Sequence, residues 1–369
     1  MIEPGQANNV LLPGVQFYCI KSSKNRAIYA FGLSKAYRQH APARLNLFVL
    51  RYKHLQAPIV TYISMMIKKL LLTAGIFFIT LSVKAQPVRY KNMVFEYIKT
   101  TIDLSYDAAD PAGKNKARRF DLYQPAGDTA LSRPLIIWMH GGGFKFGSKD
   151  DKSNQIWGRF FAQRGYVVAT INYTLSRKLP FLHFDELKRS CYNGVLDAKR
   201  AIGFFKQHSH AYHIDPSKII LAGNSAGGMI ALQAAFSTNA ELARFAGVAD
   251  EYPDDQQLLK VAGVINFWGA IFNLDWLKNC LQLPLVSVYG STDSIVAPTH
   301  KGPPLYGAAD IFKMATALGI PNDVKVFEGY SHELHKRFNP VFSGGKDTQA
   351  RWLEAAQFAA DFLYKQVIK

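Results

Sequence analysis

The chain has 369 residues, about half of them hydrophobic, and a formal charge of +17 at pH 7. That composition belongs to a folded protein of one large or two small domains. The charge points first to nucleic acid or an anionic membrane. It is uneven, however: residues 1–85 carry ten more basic than acidic side chains, and the remaining 284 carry an excess of only seven. The larger part has no dense Lys/Arg run interleaved with aromatics. It reads as a moderately basic solvated surface, with no nucleic-acid partner.

Residues 1–64 show no sustained hydrophobic period and are expected to be a spurious or disordered extension. Met65-Met66-Ile67-Lys68-Lys69 is then followed by the apolar run LLLTAGIFFITLSV and by Val83-Lys84-Ala85. A short basic start, an apolar core and a small-residue cut site make a secretory signal peptide over 65–85. The apolar core is short for a membrane span, although an anchor with a short tail is the alternative. The expected start of translation is Met65 or Met66. The expected mature chain is a single domain over 86–369, secreted or periplasmic, with no membrane attachment after signal removal. Cys19, Cys191 and Cys280 have neither CxxC nor zinc-ligand spacing, so no metal site is expected. Cys191 and Cys280 could pair in an oxidising compartment or stay as separate thiols.

In chain order the domain alternates strand and helix patterns. Residues 88–101 read as a loop or short helix, 102–106 as an edge strand, and 118–123 as a further strand. The apolar run 134–139 is a buried strand broken by His140-Gly141-Gly142-Gly143-Phe144. Helix 153–163 precedes strand 166–173, and 184–208 is largely helical. Strands follow at 219–224, 261–267, 283–289 and 323–327, with helices at 225–236, 308–318 and 348–366. More polar inserts fall at 238–260 and 272–283. The alternation predicts an α/β fold: a mostly parallel sheet with helices on both faces.

The central stretch is Ile219-Ile220-Leu221-Ala222-Gly223-Asn224-Ser225-Ala226-Gly227-Gly228, a strand, a tight turn and a helix start with a serine at the turn. Small neighbours permit the unusual backbone of such a turn. Helix-start amides favour developing negative charge there. Asp293 follows the strand-like LVSVYGST. His332 lies on a turn after the apolar VKVF run, and His335 is its rival three residues on. Asp310 lies inside a helix and is the poorer acid. A phosphate loop at HGGGFKFGS is disfavoured because no GK[ST] ending exists.

HGGGF at 140–144, GNSAGG at 223–228, GSTD at 290–293 and GYSH at 329–332 together resemble the α/β-hydrolase fold. Within it they are similar to the hormone-sensitive-lipase-like and bacterial carboxylesterase families and to the xylan and feruloyl esterase-like group. The order Ser, Asp, His is the one that fold uses. The resemblance implies Ser225 as nucleophile, His332 as base, Asp293 as its orienting acid, and an oxyanion hole from the amides of Gly142, Gly143 and Ala226. His140 is expected to support the glycine loop. Phe144, Trp268, Ile271, Tyr306 and Tyr330 lie near strand ends and are candidates to line a substrate pocket, or else to be core.

The expected function is cofactor-free hydrolysis of a carboxylic ester through an acyl-enzyme. Small esters are the default partners, and acyl groups on polysaccharide are the narrower option. A peptidase or lipase of the same fold, and a non-catalytic binding protein on this scaffold, are the alternatives. Asn224 departs from the acidic residue common before the nucleophile. The roughly 50 residues before the glycine loop leave little room for the N-terminal cap of hormone-sensitive-lipase relatives.

Overall fold

The structure is a computed structural model that describes residues 15–22, 26–33, 62, 65–69, 87–107, 109–110, 114–250, 260–337 and 344–369. Two compact units divide the chain, residues 1–85 and 86–369. In the first, β1 (Val15–Ser22) and β2 (Arg26–Leu33) pair antiparallel, from Val15 opposite Leu33 to Ser22 opposite Arg26. Residues 65–69 are helical. The apolar core and cut site of the expected signal peptide lie outside the described residues. No helix among the described residues is long and apolar enough to cross a membrane.

The second unit is built on eight strands. They are β3 (Ile98–Ser105), β4 (Arg119–Pro125), β5 (Arg133–Met139), β6 (Val167–Ile171), β7 (Ile214–Asn224), β8 (Gly263–Phe267), β9 (Leu285–Gly290) and β10 (Asn322–Phe327). Their order across the sheet is β10-β9-β8-β7-β5-β6-β4-β3. β4 runs antiparallel to both neighbours, and every other pair is parallel. The edge strand β3 starts at Ile98, within the segment that reads as a loop. A register shift between Thr101 and Leu104, with Asp103 at φ 62°, breaks its two-residue period. Ile102 also points to solvent at 68% exposure, so the edge carries little of the alternation that marks a half-buried strand.

The central strands are buried on both faces, and their side chains divide by parity. Leu135, Ile137 and Met139 of β5 join one apolar layer, and Ile136 and Trp138 join the other. The first layer is covered by α2 (Phe184–Gln207), α3 (Ala226–Phe236), α4 (Asn239–Ala246) and α5 (Ala308–Ala317). The second is covered by α1 (Lys152–Ala162) and α6 (Lys346–Leu363). Trp138 stacks on Trp157 of α1 at 4.6 Å between ring centres. Burying one large apolar side chain contributes roughly 1.5–3 kcal/mol. α3 is buried along nearly its whole length, which its apolar sequence AGGMIALQAAF permits on every side.

The insert at 238–260 contains α4, opened by a capping box between Thr238 and Glu241; its residues 251–259 lie outside the described set. The second insert holds a 3-10 turn, Leu274–Cys280, whose Trp276 and Leu277 are buried. Cys191 and Cys280 are both free thiols, Cys191 buried under α3.

Candidate active site

Ser225 is the single residue between β7 and α3, and its backbone sits at φ 54°, ψ −118°. A non-glycine residue in such a conformation costs on the order of 1–3 kcal/mol and needs support from its surroundings. Its N–H donates to the carbonyl of Phe267 at 2.9 Å, and its own carbonyl accepts from Met229 N at 3.0 Å. Close approach also fixes the glycines two residues either side. A Cβ on Gly223 would lie 2.3 Å from the carbonyl carbon of Gly227, and one on Gly227 would lie 2.0 Å from the oxygen of Met139. The small residues therefore let β5, β7 and α3 meet under the serine.

The other two side chains arrive from the ends of β9 and β10. Asp293 lies three residues beyond β9, and its Oδ1 accepts from the amides of Ile295 at 2.9 Å and Val296 at 3.0 Å. Its Oδ2 faces His332 Nδ1 at 2.7 Å, and His332 Nε2 lies 2.9 Å from Ser225 Oγ. All three residues are buried. Carboxylate oxygens accept, so the proton of the neutral imidazole is assigned to Nδ1, which leaves the Nε2 lone pair toward the serine hydroxyl. The two turns are tied together, since Thr292 N donates to the carbonyl of Tyr330 at 3.0 Å. Helix α6 holds the histidine turn from below: Trp352 Nε1 donates to Glu333 O and Arg351 Nε to Leu334 O, both at 2.8 Å. That support offsets the left-handed conformations of Glu333 and Leu334.

The glycine loop leaves β5 directly beside the serine. A Cβ on Gly141 would lie 3.4 Å from Ser225 Cβ. Gly142 at φ 107° turns its carbonyl inward to accept from Lys145 N and Phe146 N, and a Cβ there would lie 2.1 Å from the oxygen of Phe146. Among the described residues no acceptor engages the amides of Gly142, Gly143 or Ala226. His140 braces the loop. Its ring stacks on Tyr173 at 4.3 Å, its Nδ1 donates to Gly141 O at 2.6 Å, and Tyr173 Oη donates to its carbonyl at 2.9 Å. Burial lowers the pKa of His140, so it stays neutral.

The rival residues are placed elsewhere. His335 faces Glu333 at 3.9 Å and lies against Trp352. Asp310 accepts from the amide of His300. Of the expected pocket residues, Phe144, Trp268 and Ile271 are at most 1% exposed and pack in the core. Phe144, five residues beyond β5, and Trp268, the residue after β8, both have positive φ, and both side chains are buried. Tyr306 is bridged to Ile271 through its backbone and stacks on His300, and Tyr330 lies under the Arg351 guanidinium. The cavity that does open beside the site is a groove of about 760 Å³ between residues 180–187 and 289–309, and Asp293 is part of its lining. Sequence reading missed it because its apolar residues sit in irregular segments without a period. Among the described residues no group of three or more His, Cys, Asp or Glu side chains is placed to hold a metal.

The BD-FAE family model matches residues 120–284. Among solved structures, Thermogutta terrifontis esterase 2 phosphorylated by paraoxon aligns over 75% of this chain and 97% of that one, with a TM-score of 0.52 at 20% identity. Its propionate-bound form aligns over 72% and 93%, with a TM-score of 0.50 at 20% identity. The chain has the α/β-hydrolase fold. Curated relatives similar to this chain include mouse arylacetamide deacetylase-like 4 family member 1, 34% identical over 30% of this chain and 25% of that protein. The para-nitrobenzyl esterase of Bacillus subtilis is 31% identical over 26% of this chain and 20% of its own length. The chain thus spans a quarter or less of the length of these relatives. The family match includes Gly142, Gly143, Ser225 and Ala226 and stops before Asp293 and His332.

Proposed function

We propose that the protein is an exported serine hydrolase that cleaves carboxylic esters through an acyl-enzyme, on small esters or on acyl groups carried by carbohydrate. The observation that carries this is the imidazole of His332 held between Ser225 Oγ at 2.9 Å and Asp293 Oδ2 at 2.7 Å. His332 Nε2 takes the proton of Ser225 as Oγ attacks the acyl carbon. The oxygen that becomes negative is held by the amides of Gly143 and Ala226, with Gly142 shaping the loop or adding a third donor. Such a donor contributes roughly 3–4 kcal/mol to the transition state. The imidazolium then gives its proton to the leaving alcohol. Water, deprotonated by the same nitrogen, releases the acid and restores Ser225. Asp293 holds the tautomer and stabilises the imidazolium.

The carbohydrate option is supported by the BD-FAE match and by the signal-like 65–85 segment. Export is supported by that segment alone, and amino-terminal sequencing of secreted protein tests it. Hydrolysis of p-nitrophenyl esters, acetylated xylan and feruloyl esters, with Ser225→Ala as control, tests the activity. Turnover that persists in Ser225→Ala would overturn the reading.

A further inference from the structure

The groove of about 760 Å³ has no part in the steps above, and its position gives it one. One wall comes from the turn Pro180–Leu182, where Phe181 is 56% and Leu182 63% exposed. The facing wall carries Ile295, 55% exposed, and Leu305. A soluble protein rarely leaves several large apolar side chains bare along one cleft without an occupant. The groove also borders the reacting centre, where Asp293 is in its lining and Phe181 approaches the glycine loop. A Cβ built on Gly143 would lie 3.2 Å from Phe181 Cδ1, so the ring of Phe181 sits directly over the amide loop. At its other side the groove is lined by the 291–295 turn that contains Asp293. An ester whose carbonyl oxygen rests on the glycine loop would lie beside Phe181, at the edge of this groove.

We propose that the groove receives the apolar arm of the ester, and that Phe181 and Ile295 set the size of that arm. This rests on the serine-hydrolase reading above and names its substrate class: esters with an aryl or medium-length alkyl arm, in preference to esters with two short arms. A volume of about 760 Å³ is far larger than an acetyl or methyl group needs. The occupant is a single molecule and not a lipid surface. The apolar walls are rimmed by Ser291, Thr292, Lys301 and Glu328, which suit a hydrated end of one substrate and interrupt any flat apolar face.

Two substrate series on the full chain test this: p-nitrophenyl acetate, butyrate and octanoate, which vary the acyl arm, and methyl, butyl and hexyl acetate, which vary the alcohol arm. All are used below their critical micelle concentrations. In one series wild type favours the longer members. There Phe181→Ala and Ile295→Ala lower kcat/KM for the longest member about tenfold, a typical cost of lost hydrophobic complementarity. The shortest member of that series changes less than about threefold. Phe181→Trp, which fills the cleft, spares the short esters and excludes the long ones. Equal losses across the members of both series, no loss in either series, or a chain-length effect seen only above the micelle threshold would each overturn the proposal. Failure of wild type to hydrolyse any ester, or full activity in Ser225→Ala, would instead sink the hydrolase reading beneath it.

Discussion

Asp293 and His332 come from different strand ends, and only one oxygen of the carboxylate is free to meet the imidazole. Oδ1 is occupied by the amides of Ile295 and Val296, so Oδ2 is the atom presented to His332 Nδ1 at 2.7 Å. The pairing thus has a fixed polarity. In Asp293→Asn the two amides select the side-chain oxygen, which places the NH₂ group against Nδ1. That donor forces the imidazole proton onto Nε2, where it can no longer accept from Ser225. The expected result is a fall in kcat of roughly 10⁴-fold with unchanged thermal stability. Steady-state kinetics on p-nitrophenyl butyrate, alongside a melting curve, checks it.

Gly227 is a steric requirement of the fold more than of the chemistry. A methyl group there meets Met139 O at 2.0 Å, and backbone must move to admit it. Gly227→Ala is expected to lose about 3 kcal/mol of stability, the upper part of the usual range for overpacking. Urea unfolding followed by tryptophan fluorescence measures the change.

His140 makes stability depend on acid. Its folded pKa is lowered, mainly by burial, so it remains neutral where an unfolded histidine takes a proton. The unfolded chain therefore binds more protons, and the contribution of His140 is complete above the unfolded value of about 6.5. It is lost as pH falls from there through the lowered folded value, at up to about 1.4 kcal/mol per pH unit. His140→Asn keeps a donor near Gly141 O and cannot titrate. Melting temperatures between pH 7.5 and 5 are expected to fall less steeply in this variant than in wild type.

Ser225 is legible from its neighbours because sterics demand them: no residue with a Cβ fits at Gly223 or Gly227. Asp293 and His332 are legible as residues just past apolar strand runs, where a parallel sheet gathers its loops at one edge. The mostly parallel sheet covered on both faces is legible from buried runs such as LIIWM, whose alternate side chains enter opposite layers. What escaped has physical causes too. The edge strand β3 carries a bulge between Thr101 and Leu104 and an exposed Ile102, so its period is broken. Phe144 and Trp268 read as pocket residues because they lie near strand ends, but both side chains are buried in the core. Phe181 and Ile295 sit in a 3-10 turn and a loop, where no periodicity reports which way a side chain faces.

Peptide mapping after treatment with paraoxon, which leaves a diethylphosphoryl group on an activated serine, asks most directly whether the three side chains work as one nucleophilic device. One such group per chain, carried on Ser225 and formed far more slowly in His332→Ala, is the expected result. Attachment at another residue, or none at Ser225 in the folded wild-type protein, would contradict it.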